Sequence, residues 1–310
     1  GVDNRRPDIV CFVNGLPLVI IEAKRPDGNA GKGPTVDAGI SQHLRNQRQD
    51  EVPSLFAYTQ LLVSINGADA KYGTQGTPEK FWAVWKEEDF NESHFAEIKN
   101  KPLNIEQKQS IFGCRDASAL SWFNQLIGGG ELAVTNQDRL LISLLSPARL
   151  IEFIRYFVLF DKKSGKVVAR HQQVFGIKRL IERVNKKDVK GARQGGVIWH
   201  TTGSGKSFTM VYLSKALILH ESLKSCRLII VTDRVDLETQ LSRTFSNSGE
   251  LSSKKDKSSA MATSGKRLAE QISKGNERIV FSIVNKFGTA TKLDECYNDS
   301  PDLIVLVDEG

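Results

Sequence analysis

Gly196-Val197-Ile198-Trp199-His200-Thr201-Thr202-Gly203-Ser204-Gly205-Lys206-Ser207 decides how the rear half of this 310-residue chain is read. An apolar run enters a glycine-rich bend, and Gly-Lys-Ser opens a stretch of helical spacing that runs to His220. A strand, a bend and a helix in that order turn backbone N–H groups inward around phosphate oxygens, and the helix start adds partial positive charge. Thr202, Gly203, Ser204 and Gly205 form the expected cradle. Lys206 is placed to reach the outer phosphates of a nucleotide, and the Ser207 hydroxyl to meet Mg²⁺. The pattern departs from G-x-x-x-x-G-K-[ST] at one point, because His200 stands at the first glycine.

Further along, Leu303–Val307 is an apolar run ending in Asp308-Glu309. A buried parallel strand delivers such residues to its C-terminal edge, where open α/β sheets bind ligands. Asp308 is the candidate holder of Mg²⁺, and Glu309 the candidate to orient and deprotonate attacking water. Between these points, helices are expected at 173–184, 207–220 and 237–245, and strands at 196–200, 228–232, 279–283 and 303–307. That alternation implies a parallel sheet with helices on both faces. The Ser/Lys-rich stretch 252–266 reads as a mobile surface loop.

The front half reads differently. Ile9–Val13 and Leu16–Ile21 are apolar, β-branched runs separated by Asn14-Gly15, a hairpin signal. A helix over 35–48, a strand over 56–65 and a strand over 81–85 follow. Residues 96–165 read as helical, with 120–127 and 140–160 at helical spacing. Pro7-Asp8 followed by Glu22-Ala23-Lys24 fits PD-(D/E)-x-K, the chemistry of metal-assisted phosphodiester cleavage. Glu22 and Lys24 share one face of a strand. A regular two-residue hairpin pairs Asp8 with Ile21 and puts Asp8 on the other face, so the site requires a three-residue loop or a bulge. A surface strand carrying a solvated ion pair would show the same three residues.

Composition narrows the classes. Lys+Arg exceed Asp+Glu by 43 to 36, a net charge of +7 that permits a nucleic-acid partner without requiring one. No apolar run approaches the ~18 residues a spanning helix needs, so no membrane partner is expected. Cys11, Cys114, Cys226 and Cys296 form no C-x-x-C pair, and the five histidines show no metal spacing. Trp82, Trp85 and Trp122 read as core. The chain is read as a fragment of a longer protein.

The phosphate-loop and Asp-Glu pair resembles motifs I and II of superfamily 2 helicases and DNA translocases. That resemblance implies a DNA-gripping motif at Thr232-Asp233-Arg234, through Thr232 and Arg234, and an adenine-reading glutamine at Gln173. With the front half added, the chain resembles the restriction (R, motor) subunit of type I restriction–modification enzymes. The blocks Asn14–Lys24, Leu55–Val63 with Asn66-Gly67, and Gly196–Lys206 carry that likeness. It implies an α/β architecture: a restriction-endonuclease-like mixed-sheet domain over 1–95, a helical connector over 96–165, and the first RecA-like parallel-sheet lobe over 166–310.

The same likeness implies catalytic Asp8, Glu22 and Lys24, with Gln42 from a Gln-x-x-x-Tyr motif in which Asn46 replaces the tyrosine. It also implies ATP and Mg²⁺ as cofactors, double-stranded DNA as substrate, and methyltransferase and specificity subunits as partners. S-adenosylmethionine would enter only through those subunits, in a prokaryotic cytoplasm. A second lobe would supply an arginine finger, so the fragment itself is expected to have negligible DNA-stimulated ATPase activity. Two rival readings are a helicase-like repair ATPase with a non-nuclease front domain and a non-catalytic nucleotide-binding scaffold.

Overall fold

The computed structural model describes residues 5–25, 35–161, 165–199, 205–233, 235, 242 and 260–308. The chain forms two compact units, Gly1–Ile151 and Glu152–Gly310, with the division inside the expected connector.

In the first unit, β1 (Ile9–Val13), β2 (Leu16–Ala23), β3 (Leu61–Ile65) and β4 (Ala70–Gly73) form a mixed sheet in that order. Only β2 and β3 run parallel, and helix α1 (Val36–Asn46) makes the crossover between them. Ile20, Val36, Ile40, Phe56, Leu62 and Trp82 pack into one apolar cluster under it. The hairpin turns on Asn14 (φ 48°) and Gly15 (φ 80°), the left-handed pair that a two-residue turn requires. Val13 faces Leu16 and Phe12 faces Pro17, but Cys11 faces Val19. Leu18 is therefore the extra residue of a bulge. Pro17 explains its place, since proline has no N–H to donate to the ladder and sits in strands at edges and bulges.

The helical remainder of this unit holds α2 (Pro53–Phe56), α3 (Glu92–Lys99), α4 (Ile105–Phe112), α5 (Ala117–Gly128) and α6 (Asn136–Arg139), with a π-helical turn over Leu140–Leu144. The unit boundary falls within α7 (Pro147–Phe157).

Several expected elements differ. Pro53 starts a helical turn ending at Phe56, so the strand expected over 56–65 begins only at Leu61. The stretch 81–85 contributes a single bridge, Ala83 to Tyr72, rather than a strand. The helix expected over 140–160 stops at Phe157. The β-prone Val158–Asp161 instead forms β5, paired with β6 (Gly165–Val168). Trp82 and Trp85 are core, but Trp122 is 64% exposed on α5, a helix that buries none of its residues.

In the second unit, α8 (His171–Asn185) and α9 (Lys206–Leu219) precede β7 (Arg227–Thr232), which lies between β8 (Ile279–Ile283) and β9 (Leu303–Val307) in an all-parallel sheet. Helices α10 (Gly265–Lys274) and α11 (Val284–Ala290) pack on it through Leu268, Ala269, Ile272 and Ala290 against Ile229, Val231 and Val280. The α/β class, with a mixed sheet in front and a RecA-like parallel sheet behind, is as the sequence indicated.

Two details are corrected. Residues 196–199 form no strand, and Ile198 and Trp199 line a cleft together with Leu306 and Val307 of β9. Within 252–266, residues 252–259 lie outside the described residues. The rest is not a loose loop, for Ala260 and Ala262 are buried, Met261 bridges to Phe281, and α10 begins at Gly265. The helix expected over 237–245 lies outside the described residues, apart from residue 242. Among the described residues no helix is long and apolar enough to cross a membrane.

Candidate active sites

The bulge at Leu18 has a chemical consequence. With Ile9 facing Ile21, Asp8 falls opposite Glu22 and on its face of the sheet. The bulge is one of the two solutions that the sequence required. Asp8 Oδ2 accepts a hydrogen bond from the Ala23 N–H at 2.8 Å, which ties the start of β1 to the end of β2. Lys24 Nζ lies 3.9 Å from Asp8 Oδ2 and 3.5 Å from Glu22 Oε2, and it donates to Gln42 Oε1 at 2.6 Å. The structure thus brings Asp8, Glu22, Lys24 and Gln42 to one point.

The electrostatics of this point are uneven. The Glu22 side chain is fully buried, and its Oε1 has no hydrogen-bond partner. Burial, and then the neighbouring Asp8 carboxyl, push the Glu22 pKa up to about 7 against the opposing pull of Lys24. A buried carboxylate with a spare oxygen, beside a second carboxylate and one ammonium, is short of positive charge. Such an all-oxygen donor pair fits a hard divalent cation.

Helix α1 roofs the site, and three residues that sequence reasoning did not single out seat it. Gly39 sits so close to β3 that a Cβ there would lie 2.1 Å from Ser64 Oγ and 3.4 Å from Glu22 Cβ. A mid-helix glycine costs about 1 kcal/mol relative to alanine, so its place here reflects that close approach. The Ser64 hydroxyl donates to the Val36 carbonyl at 2.6 Å. His43 Nε2 donates to the Val63 carbonyl at 2.9 Å, with its ring stacked 5.4 Å from Trp82. Burial holds the His43 pKa down at about 4. An isolated glycine at position 39 inside a helical pattern was the available signal. Asn46, where the tyrosine was expected, is buried and accepts from the Arg45 guanidinium.

In the second unit, Gly205 (φ 87°) is the left-handed entry to α9, so Lys206 and Ser207 occupy the first turn of a helix. Lys206 and Asp308 line one cleft of about 410 Å³ with Trp199, Thr209, Met210 and Val307. Asp308 is half-buried at the C-terminal end of β9, and its backbone N–H donates to the Val231 carbonyl at 2.9 Å. A cation, a helix start and a carboxylate at a strand end fit a Mg²⁺-nucleotide.

Gln173 is nearly buried beside the cradle's exit. Its Nε2 donates to Thr209 Oγ1 at 2.9 Å and to the Gly205 carbonyl at 3.3 Å, while Oε1 accepts from the Arg170 N–H at 2.8 Å. Both ends of that amide are engaged within the protein, Oε1 at the start of α8 and Nε2 at the start of α9. Thr232 ends β7 fully buried. Thr202, Gly203, Ser204, Arg234 and Glu309 lie outside the described residues.

Residues 1–81 match the family model for the type I restriction enzyme R protein N terminus, and residues 172–310 match that for the SWI2/SNF2 ATPase. A putative type I restriction enzyme MjaIXP endonuclease subunit from Methanocaldococcus jannaschii is 29% identical, covering 99% of this chain and 27% of the relative. The type I restriction enzyme HindI endonuclease subunit from Haemophilus influenzae is 30% identical over 99% of this chain and 26% of its own length. A Staphylococcus saprophyticus type I restriction enzyme endonuclease subunit is 24% identical over 98% and 27%. The chain spans about a quarter of the length of these relatives.

Proposed function

We propose, for a chain similar along 99% of its length to endonuclease subunits of type I restriction enzymes, that the front unit cuts double-stranded DNA and the rear unit uses ATP to move it. The observation that carries the reading is the convergence of Lys24 Nζ on Asp8, Glu22 and Gln42, made possible by one bulge.

In this reading Asp8 and Glu22 hold Mg²⁺, which when bound supplies the positive charge that polarises a phosphodiester and lowers the pKa of water. The chain's own groups do the rest. Lys24 presents an ammonium toward the charge that develops on the attacked phosphate. Gln42 keeps that ammonium aimed by accepting a hydrogen bond from one of its three N–H groups. Burial disfavours the carboxylate form of Glu22 and a bound cation offsets that cost, so the site works with Glu22 ionised around its metal.

In the rear unit, Lys206 neutralises the outer phosphates, Ser207 and Asp308 hold Mg²⁺, and Glu309 orients water. Thr202, Gly203, Ser204 and Gly205 cradle the phosphates, and Gln173 reads the adenine. Arg234 grips the DNA backbone. In the intact protein the partners are methyltransferase and specificity subunits in a prokaryotic cytoplasm, and this chain alone hydrolyses little ATP.

The test is cleavage and ATP hydrolysis by the intact complex carrying Asp8→Ala or Lys24→Ala. Loss of cutting with ATP turnover retained supports the assignment. Unchanged cutting removes the nuclease from the front unit.

A further inference from the structure

Taking Asp8, Glu22 and Lys24 as a nuclease centre, we infer that the glycine-close seating of α1 on β3, made by Gly39 against Ser64 and held by His43, positions Lys24 through Gln42. The inference rests on that reading and adds three positioning residues to it.

Three contacts fix the height of α1 above the sheet. The Ser64 hydroxyl is bonded to the Val36 carbonyl at 2.6 Å, and His43 to the Val63 carbonyl at 2.9 Å. These two clamps join the first and last turns of the helix to consecutive residues of one strand. Between them, Gly39 leaves no room for a methyl group, since its Cβ would meet Ser64 Oγ at 2.1 Å and Ser64 Cβ at 3.1 Å. Ser64 is itself the register partner of Glu22 on the neighbouring strand. The clamp is therefore built beside the buried carboxylate.

Gln42 lies on α1 next to His43 and transmits that height. Its Oε1 is 2.6 Å from Lys24 Nζ, closer than Glu22 at 3.5 Å or Asp8 at 3.9 Å. A lysine side chain has several rotatable bonds, and the short amide contact selects where its ammonium rests. Lifting α1 by the amount that a methyl group needs carries Gln42 Oε1 away from Lys24 and frees the ammonium. Ser64 and His43 are buried, with the Ser64 hydroxyl bonded to α1 and the His43 ring to β3. They act through Gln42 and do not touch DNA.

The experiment uses the intact complex, with single-turnover DNA cleavage and ATP hydrolysis measured on each variant. Gly39→Ala is expected to slow cleavage about 10–100-fold, the usual cost of disturbing a supporting shell, with ATP hydrolysis unchanged. Adding Ser64→Ala to it, which removes the Oγ, is expected to recover part of the loss. In a Gln42→Ala background, Gly39→Ala is expected to cost nothing further, because the route to Lys24 is already cut. Should Gly39→Ala fail to fold, Ser64→Ala alone, which introduces no clash, is expected to slow cleavage with the same dependence on Gln42. Losses that simply add to that of Gln42→Ala, or wild-type cleavage by both variants, would overturn the inference. Lys24→Ala separates the two readings. Unchanged cutting in that variant removes the nuclease reading itself, whereas abolished cutting beside full activity of Gly39→Ala removes only the positioning role.

Discussion

The two candidate centres are assembled over different lengths of chain. In front, Asp8, Glu22, Lys24 and Gln42 come from one hairpin and the helix that follows it. Behind, Gln173 is carried by α8, Lys206 by the start of α9 and Asp308 by the end of β9, elements far apart in sequence. The front centre is closed around a buried carboxylate that is short of positive charge. The rear centre is an open cleft at the end of a sheet, lined by both its cation and its carboxylate. A closed centre is governed by sub-ångström packing and by protonation, an open one by what enters it.

Crossed substitutions give the largest expected effects. Lys24→Ala should lower DNA cleavage by about 10²–10³-fold and leave ATP turnover in place. Lys206→Ala should abolish ATP turnover and, with it, any cutting that depends on DNA movement. Loss of ATP turnover in Lys24→Ala, measured on the intact complex, would break the separation between the two centres.

Protonation sharpens the contrast next. The Glu22 pKa is raised to about 7, so on the proposed reading protons would compete with a divalent cation at the front site. Calorimetric Mg²⁺ affinity there should fall roughly tenfold per unit as pH drops below 7. Asp8→Asn should flatten that dependence. Without the cation, a raised carboxyl pKa makes the Glu22 contribution to stability fullest below pH 4.5 and lost as pH rises through 7. Added Mg²⁺ should recover it, read as a thermal midpoint at pH 8.

His43 carries the opposite sign. Its pKa is depressed to about 4, so its contribution is present above pH 6.5 and lost as pH falls through 4. In His43→Gln, the front unit's midpoint should vary less between pH 6.5 and pH 4. An unaltered acid slope would show that the imidazole is not what the acid attacks.

Gln173→Ala should have the smallest effect. It removes hydrogen bonds to Thr209 and the Gly205 carbonyl, and should lower stability by about 1–2 kcal/mol. A fluorescent nucleotide titration on the same variant would show how much of the amide is also needed by the base.

The sequence made the contiguous features legible. Gly205-Lys206-Ser207, the strand ending in Asp308, and Glu22-x-Lys24 each lie within a few residues, and side-chain alternation alone demanded a bulge or a longer loop before Asp8 could join them. Contacts made by tertiary packing were not legible. Ser64 meets Gly39 only because β2 and β3 pair in parallel beneath α1. The end of α7 was missed because Val158–Phe160 continues an apolar run that suits helix and strand equally. The burial of Thr232 was missed for a related reason, since a motif gives a residue's place in the chain and not its exposure.

The unpaired Leu18 makes the front centre a matter of parity. A residue added to or removed from the paired part of β1 or β2, and not taken up by the turn or by a bulge, turns one carboxylate to the opposite side of the pleat, and a second such change turns it back. A single-residue insertion between Ile9 and Val10 should therefore abolish cutting, whereas one between Asn14 and Gly15, which the turn can absorb, should be tolerated.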